Sequence, residues 1–280
     1  MPVPRWRGAS APGGRIAVMC TVVVRVDPAA AWPVTMLALR DESPERPWDP
    51  PAAWWPDRDP DVRGVRDQQA GGAWLAASDR GGLAVVLNRW ESTPGVDGAW
   101  TTRGTLPLDA VVDGLLPGAD GTAPTSRAFN LVRATAGGAE VVTWDGTTVR
   151  TTALGPGVHM VTHGEPDDPA APRVGRWLGA FRAVPAPAGP PPRDPSDAVG
   201  ATGSAPDPDG WGPWFGVLEG SATVPADDPD AILRDTVEPE GHVATLSIVA
   251  AAVGPDRTVL RHTRLAQPGV LHGPLTHDHA

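Results

Sequence analysis

The sequence predicts an α+β fold built on antiparallel sheets, and three observations predict it. Short apolar, β-branched runs recur along the chain, most of them joined by hairpin-sized turns. Their order is strands, helix, strands, helices, strands, with no regular strand–helix alternation of the kind a parallel doubly wound sheet needs. No G-x-G-x-x-G or G-x-x-x-x-G-K-[ST] opens a helix, and no fixed-period repeat is present.

The first strand is placed at residues 20–26 (CTVVVRV), where β-branching is dense, and Asp27-Pro28 ends it. A second follows at 34–40 (VTMLALR) and is expected to form a hairpin with the first. Residues 44–70, rich in Pro, Asp and Trp, read as a long loop. Gly71-Gly72 then introduces a hairpin of strands 73–78 (AWLAAS) and 83–88 (LAVVLN). A helix fits 108–116, stopped by Pro117-Gly118. Strands fit 128–134, 140–144, 149–153 and 157–161, with an Asp-Gly turn signal at Asp145-Gly146. Helices fit 172–184 and 230–237, and two strands close the chain at 243–250 and 258–263.

Length allows one large domain or two small ones. The expected organisation is an extension at 1–18, a single domain at 19–266 with a flexible Pro- and Gly-rich excursion at 185–210, and a frayed tail at 267–280. All 23 basic residues are arginines, against 33 acidic residues, for a net charge of -10. That balance argues against a nucleic-acid partner, yet leaves room for a small anionic ligand, which needs only one or two arginines. The single cysteine permits no internal disulfide and no Cys-based zinc site. No 18-residue apolar run suggests a membrane span, and residues 1–18 lack the apolar core of a secretory signal. The expectation is a soluble cytoplasmic protein that needs no cofactor.

The residue that stands out chemically is Cys20, directly after Met19 at the head of the first strand. A lone cysteine is ordinarily a small buried hydrophobe. A chain that begins at Met19 and loses it carries Cys20 at its terminus instead, and residues 1–18 then read as an over-extended start. A terminal cysteine places a thiol (reference pKa near ~8.5) and an amine (near ~8) on one carbon, so the amine can serve as base for its own thiol. Arg40 and Asp41, at the end of the second strand, fall beside the start of the first. Arg40 can lower the thiol pKa or hold a substrate carboxylate, and Asp41 can accept from the α-ammonium. Asn88 ends an apolar strand, and its side-chain amide suits an oxyanion donor.

Taken in order, MCTVVV, LRDE, GGAWLAAS, GGLAVVLNR and FNLV resemble the NRDE family, that of the Transport and Golgi organisation protein 2. Members begin Met-Cys, carry Asn-Arg-Asp-Glu near the end of the second strand and have a Gly-Gly-Thr-Trp-Leu-Gly hairpin. The resemblance covers residues 19–163 well and weakens beyond. It implies a four-layer αββα N-terminal-nucleophile (Ntn) hydrolase-like fold with two stacked antiparallel sheets, similar to the choloylglycine hydrolase and penicillin V acylase group. By it, Cys20 matches the nucleophile, Arg40 an arginine beside it, Asp41 an aspartate orienting the amine and Asn88 the oxyanion asparagine. Three positions depart from the family. Leu39 stands where Asn-Arg-Asp-Glu has its asparagine, Thr162-His163 replaces a Ser/Thr-Asn pair and leaves His163 as the second oxyanion donor, and His242 stands in place of a later family arginine near the closing strands. The implied reaction is hydrolysis of a non-peptide amide in a small molecule. The alternative on the same fold is a non-catalytic carrier of haem or an acyl lipid.

Other groupings are weaker. His159, His163, Glu165, Asp167 and Asp168 lie close in sequence but form no H-E-x-x-H, and His272, His277, Asp278 and His279 fall in the tail, so no metal site is assigned. Trp48, Trp54, Trp55, Trp211 and Trp214 are read as loop residues, fit either to line an apolar ligand pocket or to pack loops onto the surface.

Overall fold

An uninterrupted β-branched run needs cover on both faces, and β1 (Thr21–Val26) receives it. In the computed structural model, which describes residues 20–89, 100–193, 209–238 and 241–271, every β1 side chain is buried. β1 lies between β2 (Val34–Glu42) and β10 (Gly157–Val161), antiparallel to both. β2 pairs in turn with β12 (Gly241–Val253). The far edge of β12 is shared: β11 (Asp235–Glu238) takes its first residues and β13 (Thr258–Arg264) the later ones. The second sheet is an antiparallel meander of β3 (Trp48–Ala52), β4 (Arg63–Asp67), β5 (Ala73–Ser78), β6 (Gly82–Asn88), β7 (Phe129–Thr135), β8 (Gly138–Trp144) and β9 (Val149–Leu154).

Strand alternation divides the apolar side chains of the first sheet between two cores. Val22, Val24, Met36, Ala38, Val249 and Ala251 join Val65, Leu75, Val85, Val132 and Val141 of the second sheet. Those five form one cross-strand row, each opposite the next, and each is fully buried. The other set, Val23, Leu37, Leu39, Ile248 and Ala250, meets two helices, α2 (Pro172–Ala183) and α3 (Gly212–Ser221). A shorter helical segment packs against β5, β6 and β7 of the second sheet. It begins as a 3₁₀ turn at Arg103–Thr105, passes through α1 (Leu106–Leu108) and widens to a π turn at Asp109–Asp113. The fold is therefore α+β with two stacked antiparallel sheets of six and seven strands and helices on the outside, as expected. The expected β1–β2, β5–β6 and β8–β9 hairpins are present, the last with Gly146 at φ 95° in its turn.

Four element assignments differ from the sequence expectation. Residues 44–70 hold β3 and β4 rather than one long loop. Two prolines hid β3, and it tolerates them because it is the edge strand of its sheet. Residues 230–237, expected to be helical, end in β11 because pairing with Gly241–Ala244 of β12 satisfies their backbone. The 103–113 segment starts earlier than expected and stops at Gly114, whose φ of 66° makes it a left-handed cap, rather than at Pro117. Finally, α3 was unforeseen: Gly, Pro and Trp make it a poor helix by propensity, but Trp214, Phe215 and Leu218 are all buried, and packing decides. Trp48 likewise belongs to β3, and Trp211 caps the start of α3; both are buried.

The extension 1–18, Met19, the middle of the Pro- and Gly-rich stretch (194–208) and the tail histidines fall outside the described residues. The described flanks of that stretch are fastened to the fold. Thr35 Oγ1 donates to Pro187 O at 3.0 Å, and the Trp211 indole donates to Gly189 O at 3.2 Å.

Candidate functional site

Cys20 stands just ahead of β1, on the face that looks towards the second sheet, in line with Val22 and Val24. The β1–β2 register, Thr21 opposite Leu39, brings the end of β2 alongside it. Its Sγ lies 3.5 Å from the main-chain oxygen of Asp41. The thiol is buried, and with Cys20 amide-bonded inside the chain its pKa is pushed up to about 12. Burial contributes most and the Asp41 charge adds to it, while the Asp41 main-chain contact and Arg40 pull the other way. An internal Cys20 is therefore a neutral thiol at physiological pH.

Arg40 and Asp41 are neighbours on β2, so their side chains leave opposite faces of the sheet. Arg40 shares the face of Cys20. Arg40 is 2% exposed, and its guanidinium lies 5.3 Å from the Trp48 ring centroid and 3.7 Å from Glu42. Nη1 of Arg40 has no hydrogen-bond partner among the described residues. Asp41 instead projects towards the helix layer. There it accepts from Arg173 Nη2 of α2 at 2.8 Å and from Thr245 Oγ1 of β12 at 2.7 Å, and Arg173 Nη1 also donates to Thr21 Oγ1 at 2.7 Å. Burial raises the Asp41 pKa, opposed by Arg173 and Thr245. A β-bulge between Thr245 and Ser247 lies opposite Arg40 and Asp41 and brings the threonine hydroxyl to the carboxylate.

Cys20, Arg40 and Asn88 all line one cavity of about 390 Å³ between the ends of the two sheets. Asn88, the last residue of β6, is half-buried there. The rest of the wall comes from Asp41, Glu42, Arg46, Asp67, Ala70, Ala73, Trp74, Val86 and the 100–104 segment, with Arg127 from the loop before β7. Gly72 and Gly104 hold the 3₁₀ turn in place. Their backbones touch so closely that a Cβ on Gly104 would sit 2.8 Å from the Gly72 Cα, and this contact seats Arg103 in the cavity. Arg103 Nη1 donates to Ala128 O at 3.0 Å. Its pKa is pulled down to about 10, first by burial and then by the charge of Arg127.

His163 does not line this cavity. It is buried beyond the end of β10, and its pKa is lowered to about 4 by burial, with Arg173 and Arg89 adding to the effect. The structure thus brings Cys20, Arg40 and Asn88 together and turns the Asp41 carboxylate to the other side of the sheet. His159, Glu165 and Asp167 are held in ion pairs. His159 Nδ1 lies 2.7 Å from Asp167, Arg182 lies 2.9 Å from the same carboxylate, and Glu165 meets Arg150 at 2.7 Å. His242 pairs with Asp235 rather than with the cavity. No group of three His, Cys, Asp or Glu side chains gathers at metal-binding distance among the described residues.

Sequence reading passed over Arg46, Arg103, Arg127 and Arg173. The first three reach the cavity from turns, where no periodicity marks a side chain's direction. Arg173 is the second residue of a correctly expected helix, but its partner Asp41 lies 132 positions away.

A sequence model of the family described as Transport and Golgi organisation 2 matches residues 19–184, from the residue before Cys20 to the end of α2. No curated protein matches the chain.

Proposed function

The chain belongs to the Transport and Golgi organisation 2 family, and from that premise we propose that it is a cysteine amidohydrolase acting on a non-peptide C–N amide, with Cys20 as a terminal nucleophile. The observation that carries this reading is the placement of Cys20 on the wall of one small cavity with Arg40 and Asn88. A cavity of about 390 Å³ suits a small-molecule ligand.

When the chain starts at Cys20, its α-amine takes the thiol proton and sulfur attacks the amide carbonyl carbon. The carbonyl π pair moves onto oxygen, and the Asn88 side-chain amide donates to that oxyanion. Collapse breaks the C–N bond, and the ammonium returns its proton to the leaving nitrogen. Water, deprotonated by the same amine, then attacks the thioester, so that a carboxylic acid leaves and the thiol is restored. Arg40, on the thiol's side of the sheet, favours the thiolate. The pKa of about 12 for an internal Cys20 supports the requirement for a freed amine, because without one the thiol stays protonated at neutral pH.

The described walls fit a haem or acyl-lipid carrier poorly. Charged side chains dominate them, no histidine lines them, and Cys20 is their one soft ligand. Apolar room lies elsewhere, in a cavity of about 550 Å³ lined by Leu106, Leu115 and Leu116, and Cys20 takes no part in it. No helix among the described residues is long and apolar enough to cross a membrane.

The test uses a chain beginning at Cys20 and a small activated acyl ester, with acylation read by intact mass. A single acyl adduct is expected, absent in Cys20→Ala. Asn88→Ala is expected to slow acylation by about 10²–10³ without changing the thermal midpoint. Equal acylation rates in the native, Asn88→Ala and urea-unfolded chains would reject the reading.

A further inference from the structure

The cavity is short of negative charge. Four arginines line it, in a chain whose net charge is -10. Two carboxylates on that wall are already engaged: Asp67 lies 2.6 Å from Arg46, and Glu42 lies 3.8 Å from Arg46 and 3.7 Å from Arg40. The third, Asp41, is bound to Arg173 on the far face of the sheet. Among the described residues, neither Arg103 nor Arg127 has a carboxylate within ion-pair distance, and Nη1 of the nearly fully buried Arg40 has no hydrogen-bond partner. Holding partly desolvated guanidinium groups together without a counter-charge is costly, and a bound anion relieves that cost.

We propose that Arg103 and Arg127, together with Arg40, form an oxyanion subsite beside Cys20, so that the ligand of this cavity carries a carboxylate or phosphate group. As a statement about substrate, this rests on the amidohydrolase reading and narrows it to amides bearing an acidic group. As a statement about binding, it stands on the arrangement of arginines alone. Arg103, Arg127 and Cys20 line the same cavity, so a molecule spanning it meets all three. Burial lowers the Arg103 pKa most and the charge of Arg127 adds to it, as expected of two neighbouring cations. Guanidinium groups suit this task because their planar fork binds carboxylate and phosphate through two parallel bonds.

The experiment uses the Cys20→Ala chain, which removes the chemistry. Glutarate and phenyl phosphate are titrated separately by calorimetry at low ionic strength, so that the two arms distinguish a carboxylate from a phosphate ligand. At least one anion is expected to bind, with affinity reduced tenfold or more by Arg103→Gln and by Arg127→Gln and unchanged by Arg257→Gln, a surface arginine away from the cavity. Arg127 is exposed, so its replacement does not put the fold at risk. In a chain beginning at Cys20, the bound anion is expected to slow iodoacetamide labelling of that thiol. Absence of binding by both anions, or binding indifferent to Arg103→Gln and Arg127→Gln, would overturn the proposal. Anion binding in a chain whose Cys20 proves inert to acylation would uphold the subsite and reject only the hydrolase reading.

Discussion

His163 shows how far a single residue was legible. The family resemblance marks it as a substitute oxyanion donor, but the structure buries it away from the cavity wall with its pKa held at about 4. The consequence belongs to stability. The unfolded chain protonates this imidazole near ~6.5 while the folded chain keeps it neutral down to about 4. Between those values the unfolded state binds the extra proton, so stability is lost as pH falls through the window, by roughly 3 kcal/mol in all. Urea midpoints measured from pH 7 to pH 4 are expected to fall for the native chain and to fall less for His163→Asn. Parallel curves for the two would show that His163 is not kept neutral by the fold. Cys20, Arg40 and Asn88 could be placed near one another because each lies in or next to a strand whose alternation fixes its face. Arg103 and Arg127 were not, because a turn carries no such rule.

At the scale of elements, Asp41 changes meaning. Sequence reasoning assigned it to the α-amine of Cys20, and its carboxylate also binds Arg173 and Thr245 and thereby fastens β2 to α2 and β12. Removing one partner strands the other as a buried charge. Asp41→Ala is therefore expected to lower the unfolding free energy by about 3–5 kcal/mol, and Asp41→Leu combined with Arg173→Met to recover much of it. Urea denaturation checks both. An Asp41→Ala chain that keeps its stability but loses Cys20 acylation would instead support the amine-orienting role. Strands with short apolar or β-branched runs were read almost to the residue, as β1, β5 and β10 show. Those missed owe their form to distant neighbours: β11 to the start of β12, and α3 to the cluster of Trp211, Trp214 and Phe181. Local sequence carries no record of such partners.

For the whole molecule, two stacked sheets set their ends around one cavity, and the chain's single cysteine lies on its wall. The fold class was legible because hairpin turns and β-branched runs are local signals. The charge of the cavity was not, because its arginines come from four separate stretches of chain. The central claim is that Cys20 is latent inside the chain and becomes a nucleophile when its own amine is freed. The direct measurement compares iodoacetamide labelling, by intact mass between pH 6 and pH 10, of the 280-residue chain and of a chain beginning at Cys20. With a single cysteine in the sequence, every adduct reports on that sulfur. The account predicts that the longer chain resists labelling, its thiol held near 12, while the shorter one labels at least about a hundredfold faster at pH 8. Equal rates in the two chains, or a shorter chain that labels only when unfolded, would contradict it.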